Sequence, residues 1–133
     1  QKLGRESGSK KFGRLRNILI YINNNYRREL NVETLAMDAC VSPDYLKHLF
    51  IECLKMPLTE YLNRFRVSSA CEKLLQSDAL SIEEIASEVG YADPKYFARV
   101  FKRYKGMSAT EYRQTRPESD PFLWLKERKI DFR

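Results

Sequence analysis

Residues 82–112 read IEEIASEVGYADPKYFARVFKRYKGMSATEY, and residues 32–61 read VETLAMDACVSPDYLKHLFIECLKMPLTEY. Set one above the other, with one extra residue allowed in the turn of the later segment, they are two copies of one pattern. Glu33 falls on Glu83, Ala36 on Ala86, Pro43 on Pro94 and Tyr45 on Tyr96. Phe50 then falls on Phe101, Met56 on Met107, and Thr59-Glu60-Tyr61 on Thr110-Glu111-Tyr112. Each copy reads as a short helix, a tight turn and a second helix with a broad apolar face. That is helix-turn-helix organisation. The small Ala36 and Ala86 stand where two helices have to approach closely.

The punctuation around these segments agrees with that reading. Ser81 with Glu84, and Ser108 with Glu111, have the spacing of a capping box, in which serine and glutamate satisfy each other's orphan N–H groups. Ser42-Pro43 and Asp93-Pro94 each put a capping oxygen before a proline at the first helical position. Gly90 and Gly106 stand where left-handed helix stops are expected. Working outward, Leu15, Ile18, Leu19, Ile22 and Tyr26 recur at helical spacing, and the Asn23-Asn24-Asn25 run weakens the end of that helix. Further helices are expected near 32–39, 43–54, 58–76, 82–89, 94–105 and 108–115. No segment alternates like a strand, so the fold class is all-α: two helix-turn-helix subdomains joined by a long connecting helix, about seven helices in all.

The expected division is a flexible basic linker or tail over 1–14, a first helix-turn-helix unit over 15–57 and a connecting helix over 58–76. A second unit follows over 77–116, then a C-terminal extension over 117–133. Pro117 and Pro121 interrupt helix in that extension, but Phe122, Leu123, Trp124 and Leu125 are too apolar for a free tail; docking back on the domain is the first expectation, a partner surface or part of a neighbouring element the alternatives. The connecting helix would be roughly 28 Å long at ~1.5 Å per residue, against ~34 Å between successive major grooves on one face of DNA. A single chain of this design is long enough to offer two helices to adjacent grooves.

The outward faces carry the functional signal. In the second helix of the later unit, Tyr96, Phe97, Val100, Phe101 and Tyr104 share one apolar stripe, leaving Lys95, Ala98, Arg99, Lys102 and Arg103 outside. In the earlier unit Tyr45, Leu46, Leu49, Phe50 and Cys53 are expected inside, with Asp44, Lys47, His48, Ile51 and Glu52 outside. A solvated amphipathic helix accounts for one such face. Two faces after matching turns, one of them strongly basic, fit nucleic-acid readout better. The chain has 24 basic and 18 acidic residues, a formal charge of +6, and the excess is patched. Residues 1–16 hold six basic side chains and one acidic, and residues 93–116 hold seven and two.

Other functions find little support. No apolar run reaches the ~20 residues that span a bilayer, and no secretory signal opens the chain. His48 is the only histidine, and Cys40, Cys53 and Cys71 lack metal-ligand spacing. All three thiols fall in expected helices and are read as buried structural groups in a reducing, cytoplasmic setting. Phosphate-cradling glycine motifs are absent, so no catalytic site, metal or cofactor is expected. The rival readings are an all-α adaptor for protein partners and sequence-indifferent nucleic-acid binding through the basic tail. The chain opens on Gln1 rather than Met, which suggests a fragment of a longer protein.

Residues 82–112, followed by Arg113, closely resemble the C-terminal signature of the AraC/XylS family of bacterial transcription regulators. VETLA, SPDYLKHLF and EYLNRFRVSSA in the first unit resemble it too, so the likeness covers about residues 15–115. The resemblance implies sequence-specific binding of double-stranded promoter DNA in the bacterial nucleoid, and usually transcriptional activation with RNA polymerase as a partner. It also implies a separate N-terminal sensor or dimerisation domain. Carried over position by position, base-reading roles fall to Lys95, Ala98 and Arg99 in the second unit and to Asp44, Lys47 and His48 in the first. Arg99 is the leading candidate, because its planar fork bonds guanine O6 and N7 together. Lys102, Arg103 and Lys47 are expected on phosphates. Two positions depart from the family. Lys55 stands where a glycine is common, and Ile51 aligns with Lys102, replacing a cation with an apolar group.

Overall fold

A computed structural model describes residues 8–128. Eight helices and no strands are present among them: α1 (Gly8–Asn25), α2 (Val32–Asp38), α3 (Pro43–Leu54), α4 (Leu58–Gln76), α5 (Ile82–Glu88), α6 (Pro94–Lys105), α7 (Ala109–Thr115) and α8 (Leu123–Glu127). The six helices from α2 to α7 begin and end within a residue of where caps and periodicity place them. Ser42 accepts from the Tyr45 amide, Asp93 accepts from the Lys95 amide, and both capping boxes close in both directions.

The repeat is preserved in backbone detail. After α2, Cys40 takes φ 58° and the Val41 amide reaches back to the Ala36 carbonyl at 3.0 Å. After α5, Gly90 takes φ 104° and the Tyr91 amide reaches the Ala86 carbonyl at 2.9 Å. The two turns are the same motif, one built on glycine and one on cysteine. The helix stops after α3 and α6 match likewise: Lys55 has φ 60° and Gly106 has φ 74°. Lysine at Lys55 therefore holds a left-handed conformation that glycine adopts without steric cost. Glycine's larger loss of chain entropy partly offsets the relief, so Lys55→Gly is expected to raise stability by about 1 kcal/mol. Urea unfolding of the two chains measures this, and an unchanged or lowered midpoint would count against it.

Two cores are built around one shared helix. The first collects α1, α2, α3 and the first half of α4 through Phe65. The second collects the rest of α4 from Val67, with α5, α6 and α7. The connecting helix is thus a core element along its whole length. Arg113 and Arg116 at the end of α7 close its last turn by donating to the Leu74, Ser77 and Leu75 carbonyls, which would otherwise lack helical partners.

Three expectations change. Residues 8–14, expected as linker, form the first turns of α1; the rest of the expected tail, 1–7, lies outside the described residues, as do 129–133. Lys11 pairs with Glu52 of α3 at 2.8 Å, and the Arg14 guanidinium lies 5.8 Å from the Tyr45 ring centroid. These contacts give the polar start of α1 a surface to fold against. The thiols also differ: Cys71 is buried, while Cys40 and Cys53 are exposed. Leu54 fills the place in the first core that the stripe assigned to Cys53. Burial pushes the Cys71 thiol up to about 11, which leaves it protonated and unreactive.

The third change adds an eighth helix. The chain leaves α7, passes along α4 and delivers Phe122 and Leu125 into the first core, not the adjacent second one. Ser68 on α4 marks the crossing, donating to the Pro121 carbonyl at 2.7 Å and accepting from the Trp124 indole at 2.8 Å. The expected docking of this extension occurs, and its target is the unit farther away in sequence.

Candidate nucleic-acid interface

The second helix of each unit is held by its apolar side, leaving the other free. In α6, Phe97, Val100 and Phe101 are buried, and Lys95, Ala98, Arg99, Lys102 and Arg103 are all exposed. Four cations and no acid therefore share the outer face of this helix. Tyr96 departs from its expected place in the stripe, being 40% exposed. Its ring tilts against Tyr91 at 5.8 Å and lies 5.6 Å from the Arg99 guanidinium. Tyr104 is only half-buried, with the Arg64 guanidinium of α4 over its ring at 4.8 Å.

In α3 Asp44, Lys47, His48, Ile51 and Glu52 are exposed, as the pattern requires, and Cys53 joins them against it. Its electrostatics are less neutral than the helix alone implies, because Lys11 of α1 takes up the Glu52 carboxylate. The basic start of α1 is thus positioned beside α3. Sequence patterning missed this because the pair is separated by 41 residues. Ile51 is 51% exposed and borders an apolar groove with Val32, Leu58 and Leu62.

Between the two faces lies a polar joint that no motif announces. Arg66 on α4 donates through Nε to the Tyr26 carbonyl at 2.9 Å and through Nη2 to the Arg28 carbonyl at 2.8 Å. The Tyr91 hydroxyl donates to Asn63 Oδ1 at 2.7 Å. Burial holds the Tyr91 phenol well above its ordinary range, so it remains a donor. Among the described residues, no three histidine, cysteine or acidic side chains converge as a metal site would need, and no helix is long and apolar enough to cross a membrane.

A family model described as a helix-turn-helix domain matches residues 35–115. The chain is 36% identical over 94 residues to the uncharacterized regulator YijO of Escherichia coli, covering 71% of this chain and 33% of that protein. It is 34% identical over 93 residues to the lactose operon transcription activator of Staphylococcus xylosus, covering 70% of this chain and 33% of that one. The C-terminal domain of AraT, a response regulator of Geobacillus stearothermophilus, superposes with a TM-score of 0.75 at 33% identity. That match covers 87% of this chain and 92% of the AraT domain. The chain belongs to the AraC family of transcription regulators.

The AraC-family assignment covers both helix-turn-helix units and the connecting helix, and the chain is a helix-turn-helix DNA-binding domain of that family. The DNA-binding domain of AdpA, a global transcriptional factor solved with a target DNA, shares the fold. Its TM-score is 0.72 at 27% identity, with coverage of 79% of this chain and 97% of that one. The chain spans about a third of the length of the curated AraC-type relatives it first matches. The matched family region ends at residue 115, so the segment carrying Phe122, Trp124 and Leu125 lies outside it.

Proposed function

We propose that this domain reads promoter DNA as a single unit, with α3 and α6 entering successive major grooves, and that the protein containing it activates transcription. The observation that carries the reading is the outer face of α6. Lys95, Arg99, Lys102 and Arg103 are exposed together on a helix whose opposite side is locked into a core. Arg99, Lys95 and Ala98 read base edges, and Lys102 and Arg103 hold phosphates. In the first unit Asp44, Lys47 and His48 read bases more weakly, with Lys47 also serving a phosphate. The 19 residues of α4 support the two-groove arrangement, spanning roughly 28 Å against a groove repeat of ~34 Å. An activating role, with RNA polymerase as partner, draws on the activator from Staphylococcus xylosus. The signal would enter through an N-terminal sensor or dimerisation domain of the whole protein.

Selection of bound duplexes from a random library at two salt concentrations tests the reading. Two short enriched blocks about one helical turn apart are expected. Retention without enrichment, lost as salt rises, would leave only charge-driven binding. On the selected site, Arg99→Ala is expected to cost about 1–3 kcal/mol and to relax preference at one base pair. Lys102→Ala should instead weaken all sequences evenly and lower the salt slope by about 1. Unchanged affinity and base preference in Arg99→Ala would remove α6 from the role assigned to it.

A further inference from the structure

The buried face of α4 changes allegiance at one position. Phe65 belongs to the first core and Val67 to the second, and Arg66 stands between them. Its guanidinium holds the carbonyls of Tyr26 and Arg28 in the loop that leads into α2. The same group lies 5.6 Å from the centroid of the Tyr91 ring, in the turn that leads into α6. Tyr26 packs against both cores, and its ring meets Phe65 edge-on at 5.1 Å. Gly90 closes the joint from the other side, where an added Cβ would stand 2.8 Å from the Tyr26 carbonyl oxygen and 2.9 Å from Arg66 Nε. One side chain, rooted in the shared helix, therefore grips the first unit with two charge-assisted bonds and lies against the second.

We propose that Arg66 is a specificity-determining residue that sets the spacing between the two DNA blocks. It does so by clamping α3 and α6 into one rigid reader. The proposal rests on the two-groove reading above. One inserted base pair moves the second block by ~3.4 Å along the helix axis and turns it by roughly 35° around that axis. A reader free to flex at residue 66 follows such a shift; a clamped one loses the contacts of one unit. Arg66 touches no base in this scheme and acts through the placement of the other side chains. Arginine suits the task because its planar fork bonds both carbonyls at once, which a lysine ammonium does in no fixed geometry.

The test uses the 133-residue chain and duplexes carrying its selected site with the spacer shortened by one, unchanged, or lengthened by one base pair. A further duplex carries the second-unit block alone. The wild-type chain is expected to lose roughly tenfold or more in affinity for each one-base-pair change, a loss within the range of a mismatched pair. Arg66→Met should shrink that penalty to about threefold or less while binding the single-block duplex within about twofold of wild type. Arg66→Lys, which keeps the charge, should fall between them and serves if Arg66→Met does not give a native circular dichroism spectrum. A spacing profile in the variants identical to wild type would overturn the proposal, as would an even loss across every duplex including the single block. A wild-type profile already flat across spacers would instead sink the two-groove reading, and the spacing role with it.

Discussion

Phe122→Ala is expected to destabilise the domain by about 3–5 kcal/mol, the range seen for emptying a buried aromatic site. Phe122 is 2% exposed and meets the Phe65 ring edge-on at 5.2 Å, while Leu125 beside it is 1% exposed. Truncation after Arg116 should do more. It removes Phe122, Leu125 and the Trp124 ring, which packs against Tyr61 at 5.4 Å, and leaves Ser68 without two partners. With domains of this size stable by about 5–15 kcal/mol, the truncated chain is expected to keep its second unit while the first becomes partly unfolded. Leu123→Ala is the control: that side chain is 47% exposed and should move stability by about 0.5 kcal/mol or less. Trp124 is the only tryptophan, so its fluorescence in urea reports the substituted chains directly, and amide exchange reports the truncated one. Equal unfolding midpoints for Phe122→Ala and Leu123→Ala would mean that the extension does not complete the first core.

Gly90→Ala and Gly106→Ala should differ sharply although both glycines have positive φ. Gly106 has no neighbouring atom within 4 Å of an added Cβ, so alanine there meets only the left-handed backbone penalty, about 1–2 kcal/mol. At Gly90 the same penalty applies, and the methyl group would also press on a backbone carbonyl and the Arg66 guanidinium at under 3 Å. Overpacking of this kind typically adds about 1–3 kcal/mol, so a total of about 2–5 kcal/mol is expected. The joint must open or Arg66 must release a carbonyl. Comparing the two variants by thermal or urea unfolding isolates the clash from the backbone term, and equal losses would show that Gly90 is needed only for its φ.

The local rules were readable because they act over a few residues. Each of the two capping boxes pairs groups three positions apart, and α3 and α6 each start at a proline preceded by an oxygen-bearing cap. Periodicity over those helices assigned Phe97, Val100 and Phe101 to the inside and Lys95, Ala98, Arg99, Lys102 and Arg103 to the outside. It erred at the margins of the stripe. Cys53 and Tyr96 sit where angular position leaves burial to whatever neighbour arrives; Leu54 took the place assigned to one, and the other stayed outside beside Tyr91 and Arg99. The start of α1 was misread for a related reason. Gly8, Ser9 and Gly13 give the segment low helix propensity of its own, and its helicity is supported by contacts of Lys11 and Arg14 with a distant helix.

From the sequence alone came the all-α class, the duplicated helix-turn-helix plan, the helix limits from α2 to α7, and the outward faces of α3 and α6. These follow from repeats, caps and a 3.6-residue period, all of which are properties of neighbouring residues. Only the tertiary structure decided that α4 belongs to both cores, that Arg66 and Gly90 meet across two units, and that Phe122 returns to the first. Arg66 is 40 positions from its Tyr26 partner, and Trp124 is 56 from Ser68. No local pattern selects one distant partner over another, because that choice is made by which packing arrangement satisfies every buried group at once.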